Sequence, residues 1–364
     1  MIAVKIVFWA ALAGLVWTHV GYVLFVEVAS RLRPGAPSPP PGDLPSVAVI
    51  VAAHNEETVI ERRVANLLAL DYPREKLEVV VTSDASSDRT EELARAAGAR
   101  VIANPRGGKV AAQDRAVRET DAEIVAFSDA NSTWAPDALR RLVTRFADPR
   151  VAYVCGQLRL EAADGSNREG LYWRYELAVR SAESRLGSVT GGNGSIYAVR
   201  RADYVEVDPR FGHDLSLPYL MVQRRRRAVY EPSAAASEKP TPTNETEYRR
   251  KVRMFEHCWL ILLRGRMLRS LGPLYTLQIV SHRLLRYASG LLHVVLLAAS
   301  LVLVTSGWVY DAVLAAQLLV LAAALAGVAI ARYYVLVTWA TLQALANYVR
   351  RGVPATWDVA EGTR

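Results

Sequence analysis

Cysteine is scarce in this 364-residue chain: there are two, Cys155 and Cys258, too few for a disulfide framework and without metal-ligand spacing. Both read as ordinary buried thiols. Nucleic-acid motifs are missing too, and no basic face is interleaved with aromatics, so the net charge of +8 does not imply nucleic acid. A basic surface beside an anionic leaflet accounts for it as well. Charge is also absent from the longest apolar runs. With 51% hydrophobic residues and a positive mean hydropathy, the chain is unlike a soluble enzyme. Its length allows one large domain with membrane segments beside it.

In chain order, residues 6–26 are mostly apolar and about one bilayer thick, with Trp9, Trp17 and Tyr22 suited to the interfaces and His19 the one titratable residue. This predicts a transmembrane anchor; a cleaved signal peptide is the competing reading, opposed by the length of the run and the weak basic start at Lys5. Arg31 and Arg33 follow, placing the next domain in the cytoplasm by the positive-inside tendency. Residues 34–45, with six prolines in twelve positions, read as a semi-rigid linker.

From Val47 the pattern changes. Strands are expected at 47–53, 77–82, 100–103 and 123–128, and helices at 57–70, 88–98, 109–120 and 136–146. Such alternation implies an α/β domain with a mainly parallel sheet and helices on both faces. Ligands in such folds collect at the carboxyl ends of the strands, where His54, Asn55, Glu56, Asp84, Asp88, Lys109, Asp129 and Asn131 fall. In an extended chain residues i and i+2 face the same way, so Asp129 and Asn131 could grip one ligand. A polar turn is the alternative. Lys109 follows two glycines, so its backbone can approach a ligand closely.

Farther on, a helix is expected over 168–186, carrying Trp173, Tyr175 and Glu176, its apolar positions read as core with acceptor contact as the alternative. The glycine-rich run at 191–195 suits a loop where backbone nears a ligand. The mixed apolar and basic stretch 255–286 reads as membrane-surface helices. Spans are expected at 291–304 and 312–331, joined by a turn at 305–311, and 333–348 as an interfacial or re-entrant helix, with a fourth span as the alternative. The division is therefore 1–30 anchor, 31–45 linker, 46–254 α/β domain, 255–286 interfacial helices, 287–332 hairpin and 333–364 interfacial or re-entrant helix with the C-terminal tail.

The run VAVIVAAHNEE from Val47, Asp71-Tyr72-Pro73, the segment from Ser83 to Thr90, Gly108-Lys109, Ser128-Asp129-Ala130-Asn131, Gly191 to Ser195, Asp214 and the basic segment 249–253 together resemble the inverting family 2 glycosyltransferases of GT-A fold. The resemblance covers residues 46–265. It implies a nucleotide-sugar donor, most simply a UDP-sugar, and a divalent cation, Mg2+ or Mn2+, at Asp129, with Asn131 where the motif usually has a second acid. It also implies that Asp84 meets the base, that Glu56 and the main chain beside His54 close over base and ribose, and that Lys109 faces the diphosphate. Helix capping is the alternative for Glu56 and Asp84. Gly192, Asn193 and Gly194 match the acceptor-side loop. Asp214 matches the catalytic base, with His213 in the place of the usual glutamate, either tuning it or merely exposed. Arg253 matches the arginine of the Gln-x-x-Arg-Trp motif of polymer-forming members, but Arg250 and Met254 replace its glutamine and tryptophan, which speaks against processive synthesis. The expected protein is a multi-pass cell-membrane enzyme, its catalytic domain cytoplasmic, acting on a lipid or membrane-held glycan. A processive synthase and an inactive scaffold subunit are the alternatives.

Overall fold

The computed structural model describes residues 1–33, 43–160, 171–239 and 244–354; most of the expected linker and the start of the helix expected from 168 lie outside them. The chain divides into two compact units. One comprises 26–239 with Arg264–Gly272, the other Met1–Phe25, 244–263 and Pro273–Val353.

In the first unit, strand β1 (Val47–Ala53) is buried along its whole length, because successive side chains alternate between two covered faces. Val47, Val49 and Val51 meet Ile60, Val64 and Leu67 of the Ile60–Leu68 helix on one side. Ala48 and Ile50 share the other side with Ala116 of the Lys109–Arg118 helix and with Leu217 and Met221 of the His213–Gln223 helix. Removing each such aliphatic side chain from water stabilises by roughly 1.5–3 kcal/mol.

β1 pairs in parallel with β2 (Leu77–Asp84) and β4 (Ile124–Asp129), and β2 with β3 (Arg100–Asn104). The register sets Ala52 opposite both Thr82 and Asp129, so His54, Asp84 and Asp129 all lie at one rim of the sheet. The rest of the sheet is mixed. With β5 (Thr133–Trp134), β6 (Val151–Leu160), β7 (Tyr197–Arg200) and β8 (Arg227–Glu238) it runs β3-β2-β1-β4-β7-β6-β8-β5. β7 is antiparallel to both neighbours, with Tyr197 opposite Phe127. A reversed strand beside β4 starts where β4 ends, which delivers residues 191–196 to the rim that holds Asp129.

Ile2–Arg31, most of which belongs to the second unit, and Trp308–Leu325 are long and apolar enough to cross a membrane, and Pro273–Tyr287 with Ser289–Val302, bent by 64°, passes the same test as a pair. No residue of Trp308–Leu325 is buried; an apolar, uncovered helix suits lipid rather than water. Phe8, Ala11 and Leu15 pack on Leu296, Ala299 and Leu303. The helix expected at 312–331 is interrupted: it ends at Leu325, Gly327 takes φ +86°, and a new helix, Ala329–Arg351, begins. The short element expected at 333–348 is the interior of that helix. Likewise one helix, Asn244–Arg264, runs across the boundary drawn at 254/255.

Candidate active site

Asp129, the last residue of β4, is the centre of the rim. Its carboxylate forms an ion pair with the Lys109 ammonium and accepts a hydrogen bond from Ser195 Oγ at 3.2 Å. A Cβ on Gly194 would lie 3.4 Å from Lys109 Nζ and 3.7 Å from Asp129 Oδ2, so the glycine loop closes directly over the pair. Burial pulls the Lys109 ammonium down, but Asp129 outweighs it, with Asp214 and Glu238 adding to the field, and the group is held above the ordinary lysine value.

Asp84 is fully buried. Its carboxylate accepts the backbone N–H groups of Gly107 at 2.7 Å and Gly108 at 3.1 Å and bonds Arg106 Nη1 at 3.0 Å. It thereby shapes the turn that launches Lys109. His54 Nδ1 meets the Asp84 carbonyl at 2.8 Å. The Glu56 N–H donates to Thr90 Oγ1 at 2.7 Å, and its carbonyl accepts from Ile60 at 2.9 Å, opening the helix. Asp88, just before the next helix, accepts the Thr90 N–H at 3.0 Å. Asn131 stands on a turn, because the strand ends at Asp129 and the Ser132 N–H reaches back to the Asp129 carbonyl at 3.4 Å. The alternation expected to put Asp129 and Asn131 on one face therefore does not apply.

Asp214 is the second residue of the His213–Gln223 helix, half-buried, and its carboxylate makes no hydrogen bond or ion pair among the described residues. Its carbonyl accepts the Gly192 N–H at 2.6 Å, tying this turn to the loop over Asp129. Asn193 is structural: Nδ2 donates to the Gly156 carbonyl at 2.6 Å and Oδ1 accepts from Ile196 N–H at 2.9 Å. His213 is buried, not exposed. Its Nδ1 meets Tyr197 Oη at 2.9 Å and its Nε2 meets Tyr204 Oη at 3.2 Å, while Tyr204 donates to Asp114 at 2.6 Å. Burial lowers the His213 pKa to about 3, so the ring is neutral at physiological pH. Arg253 lies exposed on the Asn244–Arg264 helix, in the other unit.

Sequence reasoning missed Arg63. It is 2% exposed, donates to Ser128 Oγ at 2.7 Å and lies over the Trp134 ring at 5.2 Å. Burial pushes it down to about 9 despite Asp129 and Glu238. The signal was present, since Arg63 stands on the buried face defined by Ile60, Val64 and Leu67. Ser195, part of the glycine-rich run, was not singled out, nor were Tyr197, Tyr204 and Asp114, which are distant in sequence from one another.

The description of glycosyl transferase family 2 matches residues 48–207. Those residues are a family 2 glycosyltransferase domain. The beta-monoglucosyldiacylglycerol synthase of Synechocystis sp. is 30% identical over 214 residues, 54% of this chain and 44% of the relative. The N-acetylglucosaminyltransferase of Mesorhizobium japonicum is 27% identical over 290 residues, 72% of this chain and 68% of the relative. The chain thus spans under half the length of the first of these glycosyltransferases. A solved structure, the mannosyltransferase PcManGT from Pyrobaculum calidifontis in complex with GDP-Man and Mn2+, superposes with a TM-score of 0.75 at 24% identity, covering 94% of this chain and 99% of that one. The glycosyltransferase domain has the GT-A-like fold.

Proposed function

We propose that this protein transfers one hexosyl or N-acetylhexosaminyl group from a nucleotide-sugar to a hydroxyl of a lipid or membrane-associated glycan, with inversion. The observation that carries the reading is the juxtaposition at one sheet rim of a held charge pair, Lys109 with Asp129, and a carboxylate without a partner among the described residues, Asp214, bridged by the Gly192–Ser195 loop. Inversion is a single displacement. The acceptor oxygen bonds to the anomeric carbon as its proton passes to Asp214, and the bond to the phosphate oxygen breaks with its electron pair leaving on the diphosphate. Lys109 supplies positive charge on the donor side, and Arg63 adds to it from beneath the end of β4.

A divalent cation fits these residues. Asp129 offers one half-buried carboxylate and Asn131 a carboxamide on the following turn, and no group of three His, Cys, Asp or Glu that could hold a metal occurs among the described residues. An oxygen-only set with one carboxylate is what Mg2+ or Mn2+ takes when substrate phosphates and water complete the shell. Such an ion would neutralise the diphosphate as it departs.

The names of the relatives support a glycolipid or glycan acceptor, the apolar helices support a membrane location, Arg31 and Arg33 after the first of them support a cytoplasmic domain, and Arg250 and Met254 support single transfer over polymerisation. The test is a panel of nucleotide-sugars offered to the detergent-solubilised protein, with Asp129→Ala alongside. Turnover of one donor is expected, abolished by the substitution and by EDTA. Near-parental rates in Asp129→Ala, or indifference to EDTA, would sink the assignment of the cation.

A further inference from the structure

His213 is the first residue of the His213–Gln223 helix and stands directly before Asp214. Its ring is enclosed by aromatics from three segments of the chain: Phe127 of β4 at 5.7 Å between ring centroids, Tyr197 of β7 at 6.2 Å and Tyr204 at 5.7 Å. Both ring nitrogens are engaged, and the hydrogen-bond network assigns their roles. An ionised Asp114 only accepts, so Tyr204 commits its one hydroxyl hydrogen to it, and His213 Nε2 must carry the hydrogen that meets Tyr204 Oη. Nδ1 is then bare and accepts from Tyr197 Oη. The result is an unbroken run from Tyr197 through His213 and Tyr204 to Asp114, joining β7 to the Lys109–Arg118 helix.

The charged groups that face the ring are Asp114, 3.8 Å from Nε2, and Lys109. The glutamate usual at this position in the family would stand beside Asp114, and two carboxylates that close cannot both ionise. A neutral ring that donates at one end and accepts at the other avoids the conflict.

Asp214 inherits this placement. Its carboxylate folds back over the helix start, since a Cβ on Gly212 would lie 2.5 Å from Asp214 Oδ1, and its carbonyl is held by the Gly192 N–H. Phe127, which packs on the His213 ring, belongs to the strand that ends at Asp129. One buried ring thus fixes the start of the helix bearing Asp214 against the strand bearing Asp129.

We propose that His213 is a positioning residue: clamped between Tyr197 and Tyr204, it sets the Asp214 carboxylate in its place relative to Asp129. This deepens the proposed function and rests on the reading of Asp214 as the base.

The test follows hydrolysis of UDP-glucose, UDP-N-acetylglucosamine and GDP-mannose by the full-length, detergent-solubilised protein with Mn2+, water serving as acceptor, and the Tm of every variant. His213→Leu, which fills the space without polar ends, should lower kcat about 10–100-fold, the scale of a misplaced catalytic group, with donor KM nearly unchanged. His213→Gln, which offers one acceptor and one donor, should recover most of that loss. In an Asp214→Asn background His213→Leu should cost almost nothing further, because a positioning residue acts only through the group it positions. A parental kcat in His213→Leu, an equal loss with and without Asp214, or a loss in His213→Gln as large as in His213→Leu overturns the proposal. Should His213→Leu fail to fold, Tyr204→Phe, which removes one hydroxyl from the run, is judged by its kcat and by the same Asp214→Asn background. Imidazole ¹⁵N shifts at pH 8 need no turnover: a neutral Nε2–H form is expected for His213, and an Nδ1–H or charged ring overturns the clamp. If Asp214→Asn itself hydrolyses donor at the parental rate, the base reading falls and the His213 role with it; a slow Asp214→Asn beside a parental His213→Leu sinks the positioning role alone.

Discussion

The two halves of the glycosyltransferase sheet treat charge in opposite ways. On the side of β1 to β4, Asp84 is met by three donors of the 106–108 turn, and Asp129 by Lys109 and Ser195. On the side of β6 to β8, Arg180 Nη1 and Tyr153 Oη are buried without a hydrogen-bond partner among the described residues, and the Asp214 carboxylate makes no hydrogen bond or ion pair among them. Fixed charges that satisfy one another are preorganised, and they bind a ligand with little rearrangement. The contrast is confined to the carboxylates, since Arg63 Nε and Ser132 Oγ on the side of β1 to β4 are also buried without a partner among the described residues. Under the proposed function, the carboxylates of the donor side are held in advance and that of Asp214 waits for the acceptor.

The largest test of that contrast is Asp214→Asn, which keeps size and removes basicity. Transfer should fall by about 10²–10⁴, the usual scale of a lost general base, with calorimetric donor affinity nearly unchanged. A matching fall in donor affinity would erase the division between the halves. Asp114 is the exception within the donor half, a buried acid whose pKa is raised by burial to about 7 against the opposing bond from Tyr204. A carboxyl raised above its unfolded value contributes stability below about pH 4 that is lost as the pH climbs through 7. Asp114→Asn should therefore be more stable than the parent at pH 8, by on the order of 2–4 kcal/mol, the gap closing towards pH 4. Melting curves across pH 4–8 check this, and a gap of constant size would mean the carboxyl is not the cause.

Asp84→Asn comes next. Weakening charge-assisted bonds to the 106–108 turn should loosen donor affinity roughly tenfold or more, leaving kcat close to the parent value; a fall in kcat alone would place Asp84 in the chemistry instead. The smallest effect is expected of Asn131→Asp, which adds one charge beside Asp129 and should lower the Mn2+ concentration for half-activity a few-fold. An unchanged metal titration would remove Asn131 from the site.

How far the sequence carried these conclusions differs by region for physical reasons. β1 was expected at Val47–Ala53 and is found there, since a strand buried on both faces writes a continuous apolar run ending at polar residues. β8 went unread because Ala234, Ala235 and Ala236 have little strand preference; their strand is made by pairing with β6. The break at Gly327 was invisible within an apolar stretch whose hydropathy does not change across it. Asp129 and Asp214 were singled out through the family resemblance, and the Asp214 turn is tied to the loop over Asp129 through Gly192. Arg180 and Tyr153 were not singled out, because a missing hydrogen-bond partner leaves no mark in a sequence.

Because β7 is hydrogen-bonded directly to β4, the sheet continues unbroken beneath the site from the donor half into the acceptor half. The two halves cannot part like jaws without tearing a ladder of main-chain bonds. Substrates must therefore be admitted by displacement of side chains and of the short glycine loop above the strands. Turnover in this protein should be paced by that threshold of a few residues rather than by any swing of one half against the other.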